Sequence, residues 1–217
     1  MKKILICLLS ILLLTGCKEN ERIIKDQNFT SNDTLSKNIT MKSAIANEQL
    51  ILFITNNNKE LIDIKISVDF YDKDETIVDN TEDIFSAISH KKEIAIPFEI
   101  YKEYEYYKVN LEASPSTYTS HEDSLIITEK EDDKNEKMVF KVSNKGDKEI
   151  RYIDLTIVYF KNNEVIGVAN HMSGQLKPDE DMTFNLEYPY TSDFKVLDYD
   201  NYKLYINEAC SYNLDEE

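Results

Sequence analysis

The chain of 217 residues has no tryptophan, only four glycines, four prolines and three cysteines, and its 25 basic residues are outnumbered by 41 acids. Each shortage excludes something. A paired-carboxylate glycosidase needs an apolar cleft and a surface on which a sugar ring stacks, and there is no tryptophan to supply one. With so little glycine, turns that need a left-handed backbone must draw on Asn and Asp. The acid excess argues against a nucleic-acid partner, because a phosphate backbone is held by clustered Lys and Arg that displace counterions. No His-x-x-x-His, Cys-x-x-Cys or Gly-x-Ser-x-Gly spacing occurs, so nothing sets up a zinc site or an activated serine. Neither a metal nor a cofactor is expected, and the chain reads as a non-enzyme. A long hydrophobic run is missing too: the longest, residues 4–14, is 11 residues, against about 20 for a membrane-spanning helix.

That short run has a specific context. Lys2 and Lys3 precede it and Leu14-Thr15-Gly16-Cys17 closes it, which is the layout of a secretory signal peptide. Those four residues resemble the lipobox of bacterial lipoproteins. The resemblance implies cleavage between Gly16 and Cys17, diacylglyceryl attachment to the Cys17 sulfur, and acylation of the new amino terminus. Two or more acyl chains give lasting attachment, since each buried methylene contributes about 0.8 kcal/mol and one chain holds only marginally. The expected location is therefore the extracytoplasmic face of the cell membrane, with contact to the bilayer through the lipid anchor. Removing residues 1–16 takes away Lys2 and Lys3 and no acid, moving the net charge from −16 to −18. A domain so charged is repelled by anionic headgroups. Of the cysteines, Cys7 lies in the signal and Cys17 takes the lipid, leaving Cys210 without an internal disulfide partner, so the fold must stand on apolar cores.

The polar, aperiodic stretch 17–38 reads as the lipidated cysteine and a flexible tether. The remainder is one pattern written twice, with a first repeat at 39–118, a linker at 119–123, and a second repeat with a short acidic tail at 124–217. Residues 59–71 align with 148–160, and 94–99 align with 182–187 one deletion later. In the first copy Ile62, Ile64, Ile66, Val68 and Phe70 alternate with polar neighbours; in the second, Ile153, Leu155, Ile157 and Tyr159 occupy the matching face. That period-two alternation, punctuated by clusters such as Asn56-Asn57-Asn58, predicts an all-β fold of two tandem antiparallel β-sandwiches. Residues 82–88 are the one stretch compatible with a helical turn, but their counterpart in the second copy contains Gly174 and precedes Pro178, which favours an irregular connection.

Val68-Asp69-Phe70-Tyr71-Asp72, with the following Asp74-Glu75-Thr76-Ile77-Val78, resembles the FxLYD-type immunoglobulin-like domains of bacterial extracytoplasmic proteins. Tyr71 and Asp72 match the motif, while Val68 and Phe70 replace its Phe and Leu. In the second copy Ile157-Val158-Tyr159-Phe160-Lys161 departs at the Tyr-Asp pair. The resemblance implies a sandwich of about seven strands and no enzymatic activity.

The candidate functional residues are few. His90, His121 and His171 fall in unrelated contexts and read as surface histidines. The acidic runs around Asp72, Asp79 and Asp179 could offer oxygen ligands to calcium, but none follows the calcium-loop order. Tyr107 and Tyr202 hold equivalent places before a late strand and read as structural. Tyr152, Val158 and Phe160 differ: they put aromatic and aliphatic groups on a face that is polar in the first repeat, so they are the candidate partner contacts, that face being covered by the neighbouring domain or by a partner. The expectation is a membrane-anchored, non-enzymatic binding or spacer module for an envelope protein or cell-wall component. The alternative is an accessory lipoprotein that binds a small ligand or cation.

Overall fold

A computed structural model describes the backbone of residues 27–29 and, in full, residues 34–132, 137–190 and 195–212. The expected signal peptide, Gly16, Cys17, most of the expected tether and the acidic tail lie outside the described residues. Within them the chain is all-β, with no α-helix.

Seven strands form the first sandwich: β1 (Gln27–Phe29), β2 (Ile39–Ala46), β3 (Gln49–Asn56), β4 (Ile62–Tyr71), β5 (Ile77–Ile88), β6 (Glu93–Glu99) and β7 (Tyr106–Pro115). One sheet runs β2-β3-β6 and the other β1-β7-β4-β5. The chain crosses between sheets after β3, after β5 and again after β6, the connectivity of an immunoglobulin-like sandwich. Alternation in β4 turns Ile62, Ile64, Ile66, Val68 and Phe70 inward, each at most 1% exposed, onto Leu50, Leu52 and Ile54 of β3 and Ile94 and Ile96 of β6.

The second sandwich repeats the plan with β8 (Tyr118–Ser120), β9 (Leu125–Asp132), β10 (Lys137–Asn144), β11 (Tyr152–Lys161), β12 (Glu164–Ser173), β13 (Asp181–Glu187) and β14 (Asn201–Tyr212). Its sheets run β13-β10-β9 and β12-β11-β14-β8. Ile153, Leu155, Ile157 and Tyr159 of β11 fill its core with Phe140, Phe184 and Leu186. Tyr107 pairs opposite Phe70 and Tyr202 opposite Tyr159, so the two tyrosines are equivalent in space as well as in pattern. Tyr107 crosses its sandwich to donate to Ser43 Oγ at 2.9 Å.

Asparagine replaces glycine where the backbone turns left-handed. The two-residue hairpins at Asn47-Glu48 and Asn162-Asn163 hold positive φ at both positions, and none of the described glycines has a positive φ. A second use of asparagine recurs at the end of the third strand of each repeat. Asn56 Nδ2 donates to the carbonyls of Glu60 and Ile88, and Asn144 Nδ2 donates to those of Lys148 and Leu176. Both Oδ1 atoms accept the amide two residues on, from Asn58 and Gly146. Each asparagine is fully buried and ties three chain segments together at the same sequence offsets.

Three expectations need correction. Residues 82–88 form strand rather than an irregular connection or a helical turn, because β5 continues to pair with β4 through Ser67↔Glu82, Lys65↔Ile84 and Ile64↔Phe85. The tether is shorter than 17–38: Gln27–Phe29 pair in parallel with Val109–Leu111 of β7, and Asn58 Nδ2 holds the carbonyl of Leu35 at 2.9 Å while Ser36 is buried. Such edge pairing and capping leaves no periodic signature in the sequence. Tyr118–Ser120, placed at the end of the first repeat and in the linker, instead extend the second sandwich as an edge strand on Cys210–Tyr212.

Candidate functional site at the domain seam

A strand buried on one face alternates; a strand buried on both does not. In β11 every residue from Ile153 to Tyr159 is buried. Its second face, carrying Val158 and Phe160, meets the outer face of the β2-β3-β6 sheet, where Ala46, Ile51, Phe53 and Ala95 form one apolar cluster with Val158, Phe160, Val165, Val168 and Tyr205. Phe53 and Tyr205 pack with ring centroids 5.8 Å apart. Val158 is 0% exposed, so of the three residues singled out from the sequence Val158 cannot meet an outside partner and Phe160 is largely occupied by the first sandwich. The equivalent positions in the first repeat hold Asp69 and Tyr71. Asp69 is bonded to Asn80 and Asn110, and that face stays polar. The two repeats thus share a fold but only the second turns this sheet toward its neighbour.

The polar part of the seam is built by two bulges. In β14 the register against β11 shifts between Asp154 and Leu155, which sets Asn207 and Glu208 side by side toward the first sandwich. In β5 a shift between the pairs Ile62↔Ile88 and Ile64↔Phe85 leaves Ser86 and Ala87 out of the ladder, with Ala87 at φ 57°. Two carboxylates accept the freed amides: Asp63 Oδ1 takes Ala87 N–H at 2.9 Å, and Glu208 Oε1 takes Ser86 N–H from across the seam. Asn207 completes the junction by imitating a strand. Its Oδ1 accepts Ala95 N–H at 3.0 Å and its Nδ2 donates to Ala95 O at 2.9 Å, with further donation to Asp154 Oδ1 and Thr156 Oγ1. At 1% exposure the side chain has a partner at both its oxygen and its nitrogen.

Ion pairs rim the seam. Lys203 Nζ lies 2.9 Å from Glu93 Oε1 and over the Tyr205 ring, and Lys92 Nζ lies 2.8 Å from Glu122 Oε2. They line an open cleft of about 590 Å³ that also takes in His90, Lys91 and Asp123. The Lys203–Glu93 pair is near solvent and worth about 0–1 kcal/mol, so it orients the junction more than it holds it, whereas the Lys92 side chain is buried.

Tyr152 is the one residue of the sequence-derived set that emerges. It is 38% exposed and sits beyond the covered part of β11 with Tyr118 and Tyr212. Tyr118 and Tyr212 stack with centroids 4.8 Å apart, and Tyr152 meets each edge-on at about 6 Å. Tyr152 Oη donates to Tyr212 Oη at 2.9 Å. Hydrogen bonding to that same oxygen raises the Tyr118 and Tyr152 hydroxyls above the ordinary tyrosine pKa and lowers Tyr212.

The histidines are scattered: His90 is bonded to Asn58 O at 2.6 Å, His121 to Ser211 Oγ at 2.7 Å, and His171 stacks on Phe184 with centroids 4.4 Å apart. No group of three or more His, Cys, Asp or Glu among the described residues could hold a metal ion. Cys210 is fully buried, and that burial pushes its thiol up to about 12, so it rests as a neutral SH rather than as a nucleophile.

No family model matches the chain, and no curated protein matches it. Among solved structures it is similar to red sea bream transglutaminase over 69% of this chain and 26% of that one, at 8% identity and a TM-score of 0.21. The chain thus spans about a quarter of that protein's length, and so low a score carries no argument about activity.

The seam was partly legible. The unbroken apolar run Leu50–Ile54 in β3 is the mark of a strand covered on both faces, and it could have named the surface that receives Val158. Nothing in the sequence separates Asp154 and Glu208 from the other acids, because only the β14 bulge makes them neighbours.

Proposed function

We propose that this protein is a lipid-anchored, extracytoplasmic, non-enzymatic module that binds or spaces another component of the cell envelope. The observation that carries the reading is the seam. Asn207, Glu208 and a shared apolar cluster join the two sandwiches, which suits a presenting or spacing element, and the tyrosine triad is the aromatic patch it displays. Tyrosines that expose a ring face and a hydroxyl are favoured contact residues. Anchoring rests on the lipobox resemblance of 14–17. With β1 docked on β7, only ten Cα steps separate Cys17 from Gln27, so the first sandwich would stand within about 36 Å of its anchor.

Two measurements test this. Cys17→Ser is expected to abolish fatty acylation by mass spectrometry and to release the protein from sedimented membranes; unchanged acylation and sedimentation would end the anchoring claim. Serine at positions 118, 152 and 212 together is expected to lower retention of envelope components on the immobilised full chain at least tenfold, with the thermal transition moved by less than that of Asn207→Ala. Equal retention would remove the triad from the reading.

A second reading is favoured by the charged cleft at Lys92 and Lys203, whose mixed signs suit a small zwitterion or cation. Saturable calcium binding by the full chain in calorimetry, lost in Glu122→Gln, would move the proposal to this alternative.

A further inference from the structure

The seam encloses two carboxyl groups that no cation among the described residues neutralises. Asp154 of β11 and Glu208 of β14 are partners across the antiparallel ladder, so their Cβ atoms stand about 4.5–5.5 Å apart on one face. They are 4% and 8% exposed, and the face they share is pressed against the first sandwich. Their surroundings come from four strands. β14 adds the Asn207 amide and the Cys210 thiol, β11 adds the Thr156 hydroxyl, β5 adds Asp83 and the Ser86 amide, and Asp63 of β4 acts on Cys210 from further off. Lys92, which acts on the neighbouring Cys210, pairs with Glu122, and among the described residues no Lys or Arg forms an ion pair with Asp154 or Glu208. Two ionised carboxylates that close in a desolvated site repel each other, and one bound proton removes the repulsion.

We propose that Asp154 and Glu208 form a protonation-controlled latch: the sandwiches lock when the pair holds a proton and the seam loosens when both groups ionise. Burial raises Glu208 to about 7 and Asp154 to about 6, with Asp83 adding to the rise in each. In an open seam both return to the ordinary carboxylate range. The closed form therefore binds more protons, its advantage is complete below about pH 4, and it is lost as pH climbs through 6 and 7. For Glu208 alone this shifts the closed-to-open ratio on the order of a hundredfold between pH 5 and pH 8. A chain held at a cell surface would meet such pH changes directly, but the latch itself depends only on the fold.

Amide exchange of the full chain in detergent micelles reads the seam at Ser86 and Ala95, whose N–H groups donate across it. After normalisation to the intrinsic rate at each pH, protection of these two amides is expected to fall about a hundredfold from pH 5 to pH 8, while amides in the middle of β4 hold. Glu208→Gln combined with Asp154→Asn keeps both acceptors and removes both charges, so protection should become independent of pH. Glu208→Gln alone should move the midpoint of the fall toward that of Asp154. Protection that is flat in the parent chain, or pH-dependent in the double variant, or an unmoved midpoint in the single variant, would overturn the latch.

Discussion

Asn207→Ala is expected to destabilise the protein by about 3 kcal/mol and to strip protection from the Ala95 amide. The truncation removes one acceptor and two donors from a dry seam. It strands Ala95 N–H and Ala95 O, which have no other partner across the interface, and it leaves Asp154 without its donor. A buried polar group left unpaired costs about 1–3 kcal/mol, and several are exposed together here. The denaturant midpoint should fall, and exchange at Ala95 should accelerate more than exchange in β4. Rim variants such as Lys203→Ala should cost about 1 kcal/mol, because they lose an exposed ion pair and one cation–π contact at the edge of the seam. If Asn207→Ala and Lys203→Ala prove equivalent, the junction is held by its apolar cluster and not by the amide.

The second large effect is expected at the paired asparagines. Asn56→Ala and Asn144→Ala should each cost about 2–4 kcal/mol, the first by loosening the sandwich of β1 to β7 and the second that of β8 to β14. Each side chain holds two carbonyls and one amide with no exposure to water. Asn57→Ala, next in the chain and bonded only at the surface to Thr40 and Lys91, should cost under about 0.5 kcal/mol. Urea unfolding of the three variants checks this directly. A loss at Asn57 as large as that at Asn56 would mean that turn propensity, rather than the buried bonds, makes asparagine necessary there.

These positions show how far pattern reading extends. The two asparagines lie in clusters that mark turns in the sequence, and their equivalence follows from the alignment of the repeats. Their role does not, since the carbonyl each one caps belongs to a segment 32 residues away. The candidate contacts divide in the same way. Tyr152, Val158 and Phe160 stand out because an apolar face appears where the first repeat is polar. Which of them stays exposed depends on where the first sandwich ends against β11, and it ends short of Tyr152.

By itself the sequence determined the all-β class, the duplication, the inward residues of β4 and β11, and the use of asparagine in place of glycine at tight turns. These follow from period-two alternation and local backbone sterics, which act between residues near in the chain. Only the tertiary structure decided the domain seam, the convergence of Asp154 with Glu208, and the assembly of Tyr118, Tyr152 and Tyr212. Each of those joins residues from distant strands through a bulge or an edge pairing, and a one-residue shift in register would separate them without altering any local preference the sequence expresses.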